Sequence, residues 1–353
     1  IAGRYEERFL ALPREVLIST LQDHQRYFAV EDEGGRLMPW FITVANLESR
    51  DPAVVRAGNE RVVRPRLSDA AFFWEQDRRT RLAARRAGLD AVTFQAKLGS
   101  IGAKVERVAQ LARAVAAAID DDAECAAAAA QLAKCDLLTA MVGEFPELQG
   151  IMGRYYALAD GEPPEIAAAI AEHYQPRGAT DGLPETRTGI ALAIADRLDT
   201  LAGIFAIGQK PTGAKDPFGL RRAAIGVLRI VLEKRLELDL AALIDAAVAA
   251  QPVPEASGSG AATAAELYGY VLERLRAHYL ENASAGVSVE MFEAVLATRP
   301  TSPLDFDARL RALVASLKGS DAAALTAANK RSANILKKSE SGPLRSVDPA
   351  LLR

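Results

Sequence analysis

Apolar side chains recur at helical spacing along most of the chain. The regularity is clearest where Val105, Val108, Leu111 and Val115 follow one another at intervals of three or four residues. This spacing places them on one face of an amphipathic helix. Comparable spacing predicts further helices near 13–28, 126–142, 163–174, 187–206, 217–236, 238–250 and 321–338. Alanine-rich stretches strengthen the prediction because alanine has the highest helix propensity, so the chain should be mainly α.

A short alternating stretch interrupts this pattern near the amino terminus. Residues 27–30 alternate, a Glu-Gly-Gly break follows at 33–35, and the alternation resumes over 37–44. Two such runs around a glycine turn predict a β-hairpin. A helical region should then begin at Pro52, and Pro65 should break or kink it. The amino-terminal part is therefore expected to be a small α+β region.

Positive and negative charges nearly balance. The chain has 43 lysines and arginines against 46 aspartates and glutamates, which gives a formal net charge of −3. This balance indicates no DNA partner and no anionic-membrane partner, so any contact with RNA must use a local basic patch. No uninterrupted apolar run approaches the roughly 18 residues of a membrane-spanning helix.

The two cysteines, Cys125 and Cys135, are too few for a disulfide scaffold or a structural zinc site. We therefore expect reduced thiols and a cytoplasmic protein. The chain begins at Ile1 without an initiator methionine, and no signal peptide follows. We expect it to be a piece of a longer protein.

Five positions resemble the metal-binding set of HD-type phosphohydrolases. Such enzymes hold a divalent ion with a histidine on one helix, a His-Asp pair on a second and an aspartate on a later helix. The corresponding residues here, in chain order, are Lys104, Cys135, Asp136, His173 and Asp196. Lysine and cysteine replace two imidazoles, and an ammonium group repels a metal ion. We predict a vestigial site that binds no metal.

The same residues also have structural interpretations. Asp136 would cap a helix or pair with Lys104, and His173 would be a hydrogen-bonded polar group of the core. A working metal site would instead make the chain an HD-type phosphohydrolase acting on nucleotides or RNA ends. The sequence contains no serine or cysteine nucleophile motif and no glycine-rich phosphate loop.

The most distinctive string runs from Lys210 to Arg222 and reads KPTGAKDPFGLRR. Gly213 permits a turn, Asp216 can cap a helix and Pro217 can start that helix. Four cations crowd near the predicted helix start, namely Lys210, Lys215, Arg221 and Arg222. An RNA phosphate would bind at such a positive helix end. The alternative is that Asp216 merely caps the helix and pairs with the arginines.

The last predicted helix carries a second basic group. Its cations are Lys330, Arg331, Lys337 and Lys338, and Asn329 and Asn334 lie among them. Cations of this kind bind an RNA backbone, and amides read exposed base edges. A solvated helix surface explains the same composition.

Longer strings resemble the β subunit of bacterial glycyl-tRNA synthetase. They are ordered and spread over residues 12–224, and they read LPREVLISTLQDHQRYFAV, FITVANLESRDP, GNERVVRPRLSDAAFFWEQD, CDLLTAMVGEFPELQGIMGRYYA and PTGAKDPFGLRRAA. Near the end, AANKRSANILKK and VDPALL resemble the opening of that family's anticodon-binding helical domain.

The resemblance implies the β subunit of a heterotetrameric, α2β2 glycine–tRNA ligase. In that family the α subunit activates glycine with ATP and magnesium, and the β subunit binds and positions glycine-accepting tRNA. The resemblance therefore implies no catalytic residue and no bound cofactor in this chain, and it makes both basic groups candidate tRNA-binding residues. It also implies that the amino-terminal domains and most of the anticodon-binding domain are missing. A scaffold for the α subunit with little RNA contact is the remaining alternative.

Together these observations predict several packed regions, because 353 residues exceed what one hydrophobic core usually supports. We predict an α+β region with the hairpin over 1–98 and a degenerate HD-like helical domain over 99–210. Further helical units should follow, first over 211–300 with a flexible insertion at 251–261. The start of a truncated anticodon-binding helical domain should occupy 301–353.

Overall fold

A computed structural model shows the arrangement of the chain. It describes residues 1–338 except 47, 49, 214, 253–259, 282–285 and 320–321. The predicted flexible insertion at 251–261 therefore lies mostly outside the described residues, and so does the end of the predicted anticodon-binding region.

Of the residues that the structure describes, 67% are helical and 6% lie in strands, so the described part is mostly helical. In the described part of the chain the α-helices are α1 Arg14–Gln25, α2 Pro52–Asp77, α3 Ile101–Ala118, α4 Ala123–Leu132, α5 Ala140–Glu144, α6 Ile151–Asp160, α7 Pro164–Glu172, α8 Arg187–Ala206, α9 Leu220–Glu233, α10 Leu240–Ala249, α11 Gly260–Glu281, α12 Val289–Leu296, α13 Pro303–Leu317 and α14 Ala322–Lys338. Short 3-10 helices occupy Glu7–Ala11, Leu82–Ala91, Cys135–Leu138 and Pro146–Leu148. None of the described helices is both long enough and apolar enough to cross a lipid bilayer.

A three-stranded antiparallel sheet lies near the amino terminus. Its strands are β1 Ala2–Arg4, β2 Phe28–Glu31 and β3 Leu37–Ile42, in the order β1-β3-β2. The predicted hairpin is confirmed as β2 and β3. Strand β1 was not predicted because three residues show too little alternation. Gly3 allows this pairing, since a Cβ atom there would lie 2.3 Å from the ring of Phe41. A second, two-stranded sheet pairs β4 Thr93–Gln95 with β5 Gly99–Ser100.

Helix α2 begins where the sequence predicts, with the Asp51 carboxylate accepting hydrogen bonds from two amides of the first turn. Pro65 was predicted to break or kink this helix; the break is wrong, because the helix continues to Asp77, and the kink stays a prediction. Pro65 lies on the exposed side, where water can bind the carbonyl that a proline leaves unpaired. The buried side, with Val63 and Leu67, keeps the helix packed.

The predicted helix at 126–142 is interrupted. It ends at Leu132, a 3-10 turn follows, and α5 starts at Ala140. The cause is Asp77, a buried residue more than 60 positions earlier, whose carboxylate accepts from the backbone N–H groups of Ala140 and Met141 at 2.9 Å each. This remote cap adds to a local one, because the Thr139 side chain accepts a hydrogen bond from the amide of Val142 at the same helix start. Tyr156 of α6, a helix that was not predicted, also donates to Asp77 at 3.0 Å.

Helix α8 is the central helix of the first packed unit and confirms the prediction at 187–206. Helices α3, α7, α9 and α10 all pack against it. Most of its side chains are buried, because it is surrounded rather than laid on a surface. Its middle nevertheless contains Asp196, Arg197 and Asp199. Charges in such a place must be compensated by partners.

Backbone proximity divides the chain into two compact units. The first comprises residues 1–275 and 301–304, and the second comprises 276–300 and 305–353. Within the second unit, the rings of Phe292 and Phe306 lie 4.7 Å apart. The four-region division made from the sequence stays a prediction.

Candidate functional site

A buried carboxylate on α8 accepts hydrogen bonds from helix α3 and from the residue Gln251, which follows α10. The Asp199 side chain is fully buried and accepts from Lys104 Nζ at 3.0 Å and from Arg107 Nε at 2.6 Å. Gln251 Nε2 adds a third hydrogen bond at 3.1 Å. Both cations lie on α3 and the carboxylate lies on α8, so these ion pairs hold α3 against α8.

Lys104 connects this carboxylate with a second one. Its ammonium nitrogen lies 3.1 Å from Asp196 Oδ1 and also donates to Thr200 Oγ1 at 2.8 Å. Burial raises the pKa of Asp196, but Lys104 and Lys134 outweigh it and hold that pKa below its ordinary value. The pKa of Asp199 is also lowered, since Lys104 and Arg107 outweigh burial. Both carboxylates are ionised at neutral pH.

Lys134 occupies the other side of Asp196. Its ammonium nitrogen lies 3.3 Å from Asp196 Oδ2, 2.7 Å from His173 Nε2 and 4.2 Å from the centre of the Tyr174 ring. His173 Nδ1 donates to the carbonyl of Ile170 at 2.7 Å, so Nε2 accepts from the lysine. Burial and the Lys134 charge lower the pKa of His173 well below its ordinary value. The prediction that His173 is a hydrogen-bonded polar core group is confirmed.

The remaining buried charge of α8, Arg197, is satisfied by the backbone. It donates to the carbonyl oxygens of His173, Ala193, Tyr174 and Pro176 at 2.9–3.1 Å. Arg197 thus holds the turn after α7 against α8. Both of its terminal nitrogens, Nη1 and Nη2, already donate to backbone carbonyls and are not available to a ligand.

The predicted pair Cys135 and Asp136 has partners of its own. Cys135 Sγ donates to the carbonyl of Gln131 at 3.4 Å, and burial raises its pKa to about 12, so the thiol stays protonated. Asp136 Oδ2 accepts from the amides of Gly150 at 2.5 Å and Gly153 at 3.1 Å. Asp136 therefore caps α6, one of its two structural interpretations, while the ion pairs of Lys104 go to α8 instead.

Replacing Asp136 by asparagine should change how stability depends on pH. Burial raises the pKa of Asp136 to about 6 in the folded protein. The stability associated with its protonated form is fully present below the unfolded pKa and is lost as pH rises through about 6. Between pH 5 and 8, the unfolding free energy of Asp136→Asn should therefore rise by roughly 1 kcal/mol relative to the unmodified protein. Urea unfolding at both pH values measures this difference, and a constant difference would contradict the assignment.

Four of these side chains line one small pocket. Lys104, Lys134, His173 and Asp196 surround room for about one water molecule. Among the described residues, no three histidine, cysteine, aspartate or glutamate side chains are placed to hold a metal ion. Two ammonium groups in the pocket would also repel a divalent cation. The geometry gives no support to the HD-type phosphohydrolase alternative.

Sequence reasoning missed three members of this cluster. Asp199 and Arg107 each stand three residues after a predicted position, on the same helix face, so the helical period could have revealed them. Lys134 directly precedes the predicted pair in the sequence. It was passed over because the comparison with HD-type sites placed the ligands one and two positions later.

The basic string at 210–222 forms a loop and the start of α9. The helix begins at Leu220 and not at Pro217 as predicted, because Gly219 adopts a left-handed backbone with φ of +65°. The prediction that Asp216 caps the helix is confirmed, since its carboxylate accepts from the amides of Leu220 at 2.8 Å and Arg221 at 2.9 Å. The carboxylate therefore occupies the amides that a phosphate would use.

The four candidate cations of this string fall into two groups. Lys210 forms an ion pair with Glu266, and Arg221 Nη2 donates to a backbone carbonyl of the loop at 2.5 Å. Lys215 and Arg222 are exposed, and neither has an ion-pair partner among the residues that the structure describes. These two side chains are available to an external anion.

The second basic group lies on α14, the predicted last helix. Lys330 and Arg331 are exposed there, together with Asn329 and Asn334. The side chains of Lys337 and Lys338 lie outside the described part of the structure, so their predicted role stays a prediction.

The described residues define a mostly helical protein whose buried polar core is closed by ion pairs and whose exposed cations surround the start of α9. Comparison with known proteins identifies the family to which the chain belongs. The family described as "Glycyl-tRNA synthetase beta subunit" matches residues 1–297, and the chain belongs to it.

Individual relatives agree with this family. The chain is 54% identical over 344 residues to the glycine–tRNA ligase beta subunit of Ectopseudomonas mendocina, which covers 98% of this chain and 49% of that protein. It is 52% identical to the Pseudomonas syringae protein, covering 98% and 50%, and 51% identical to the Chromohalobacter salexigens protein, covering 100% and 50%. The chain thus spans about half the length of the curated relatives it matches.

Proposed function

We propose that this chain binds and positions glycine-accepting tRNA as part of the β subunit of a cytoplasmic α2β2 glycine–tRNA ligase. The observation that carries the proposal is an exposed, unneutralised pair of cations, Lys215 and Arg222, in a chain of this family. In the proposed complex the α subunit activates glycine with ATP and magnesium. This chain supplies no catalytic group and no cofactor ligand.

The arrangement around α9 supports backbone contacts by side chains. Asp216 occupies the amides at the helix start, so the helix itself has little to offer a phosphate. Lys215 in the loop and Arg222 in the first turn of α9 are both exposed. Charged side chains of this kind give affinity without reading sequence. Selection of glycine tRNA then depends on further contacts.

The buried cluster supports a structural role for a degenerate HD-like domain. Lys104, Lys134, His173 and Asp196 lie on four different chain segments and meet at one pocket. Two ammonium groups stand beside the aspartate where a metal ion would be needed. A rigid core of this kind holds a bound tRNA in one orientation, which lowers the entropic part of the aminoacylation barrier.

Reversing the two exposed charges tests this function. The double change Lys215→Glu and Arg222→Glu should weaken binding of glycine-accepting tRNA by at least about tenfold, because two phosphate contacts become repulsive. Glycine activation by the α subunit, followed by ATP–pyrophosphate exchange, should not change.

The control is a double change of equal net charge, Arg8→Glu and Arg36→Glu, in the exposed amino-terminal region. Its arginine side chains are 69% and 86% exposed. If the control weakens tRNA binding as much as the test variant, the effect is one of total charge and the assignment to α9 is wrong.

A further inference from the structure

Helix α11 brings another arginine to the basic string. Tyr270 and Arg274 lie four residues apart on α11 and therefore share a helix face. The Cζ atom of Arg274 lies 5.1 Å from the centre of the Tyr270 ring. The Tyr270 ring in turn lies 5.1 Å from the ring of Phe205 at the end of α8. Arg274 is thus held at the end of a row of two aromatic rings.

This row adjoins the loop that carries the candidate cations. Lys210 Nζ lies 5.9 Å from the centre of the Phe205 ring and pairs with Glu266, one turn before Tyr270 on α11. Burial raises the pKa of Tyr270, and the charges of Arg274, Asp216 and Arg221 lie near enough to shift that pKa as well. The loop, the start of α9 and one side of α11 therefore form a single surface.

Arg274 differs from most arginines of the first unit because its charge is not compensated. The structure gives it no hydrogen bond and no carboxylate partner among the described residues, and its Nε atom is buried without an acceptor. The Tyr270 hydroxyl is likewise buried without a partner. An arginine held by stacking, half-buried and unpaired, presents a planar guanidinium that suits an anion with two acceptor oxygens, such as a phosphate.

We propose that Arg274 is a further phosphate-contacting residue for tRNA, and that Tyr270 is the positioning residue that holds its guanidinium. The ligand is a phosphodiester of the RNA backbone, because the adjoining basic string adds its exposed cations Lys215 and Arg222 to the charge of Arg274. This inference rests on the proposed function and adds a residue that lies some 50 positions from the basic string.

The test is fluorescence anisotropy of the 353-residue chain with a labelled glycine-accepting tRNA over a salt series. Arg274→Gln should weaken binding about five- to tenfold and reduce the slope of log affinity against log salt by about 0.7–0.9, the loss expected for one phosphate contact. Arg274→Lys should keep the slope, since the charge remains, but bind more weakly than arginine because an ammonium makes no bidentate contact.

Tyr270 separates positioning from a purely structural role. Tyr270→Phe keeps the ring and should bind as the unmodified chain does, whereas Tyr270→Leu should weaken binding while leaving the salt slope unchanged. Each variant is first compared with the unmodified chain by circular dichroism and thermal unfolding. A folded Arg274→Gln variant with unchanged affinity and slope overturns the proposal.

Two further outcomes also overturn the proposal. The first leaves the proposed tRNA-binding function intact, and the second removes it. If Arg274→Gln loses association with the α subunit but binds tRNA normally, the surface is a protein interface. If the unmodified chain itself shows no salt-dependent tRNA binding, the proposed function fails first and the inference fails with it.

Discussion

Replacing Asp199 by alanine should lower the free energy of unfolding by about 3–5 kcal/mol, the range measured when one partner of a buried ion pair is removed. The Asp199 carboxylate is fully buried and faces both Lys104 and Arg107. Without it, two cations remain in the core with too little negative charge near them. Lys104 retains Asp196, but Arg107 loses its carboxylate partner.

Urea unfolding at neutral pH measures this loss. Asp199→Asn keeps the shape and removes only the charge, so it should recover part of the stability at most. Glu124→Gln is the matched exposed control, since Arg113 and Glu124 form an ion pair at the surface and such pairs contribute little. A loss for Asp199→Ala no larger than that of the control would show that the buried cluster does not hold the helices together.

The same aspartate gives the stability a characteristic dependence on pH. Its pKa is lowered in the folded protein. The stability that Asp199 contributes is therefore present above its unfolded pKa and lost as pH falls below that value. Asp136 has a raised pKa and acts in the opposite direction. The two carboxylates can consequently be distinguished by unfolding their variants at two pH values.

Local patterns predicted the elements that depend on local chemistry. The hairpin of β2 and β3 follows from two alternating runs around a glycine turn, and α2 follows from Asp51 and Pro52. The start of α5 has a local cap in Thr139 but also depends on the carboxylate of Asp77, which is distant in sequence. No window of a few residues contains both halves of that contact, so the predicted helix at 126–142 ran through the interruption.

The polar core was predicted in part for a similar reason. Lys104, His173 and Asp196 were singled out together, and they do meet at one pocket. The side chain that contacts His173 is Lys134, which was not singled out, and the correspondence of Cys135 and Asp136 to HD-type positions stays a prediction. A one-residue change turns a side chain by about 100° around a helical segment. The sequence alone offered no way to decide which of two neighbours faces the pocket.

The amino-acid composition of the basic string does not show which of its cations are free to bind a ligand. Counting cations in the string at 210–222 gave four equivalent candidates. The structure distinguishes them, since Lys210 and Arg221 have partners within the protein and Lys215 and Arg222 do not. Arg274 could not be associated with the string at all, because only the packing of α11 brings it there.

Binding of tRNA by the unmodified chain is the most direct test of the central claim. Fluorescence anisotropy would compare a glycine-accepting tRNA with an unrelated tRNA at 50 and 200 mM salt. We predict binding that favours the glycine tRNA and weakens roughly 50- to 150-fold over that salt range, as expected for phosphate contacts by Lys215, Arg222, Lys330 and Arg331. Absence of binding by a folded chain, or binding that ignores salt, would contradict a tRNA-positioning role and favour a scaffold for the α subunit.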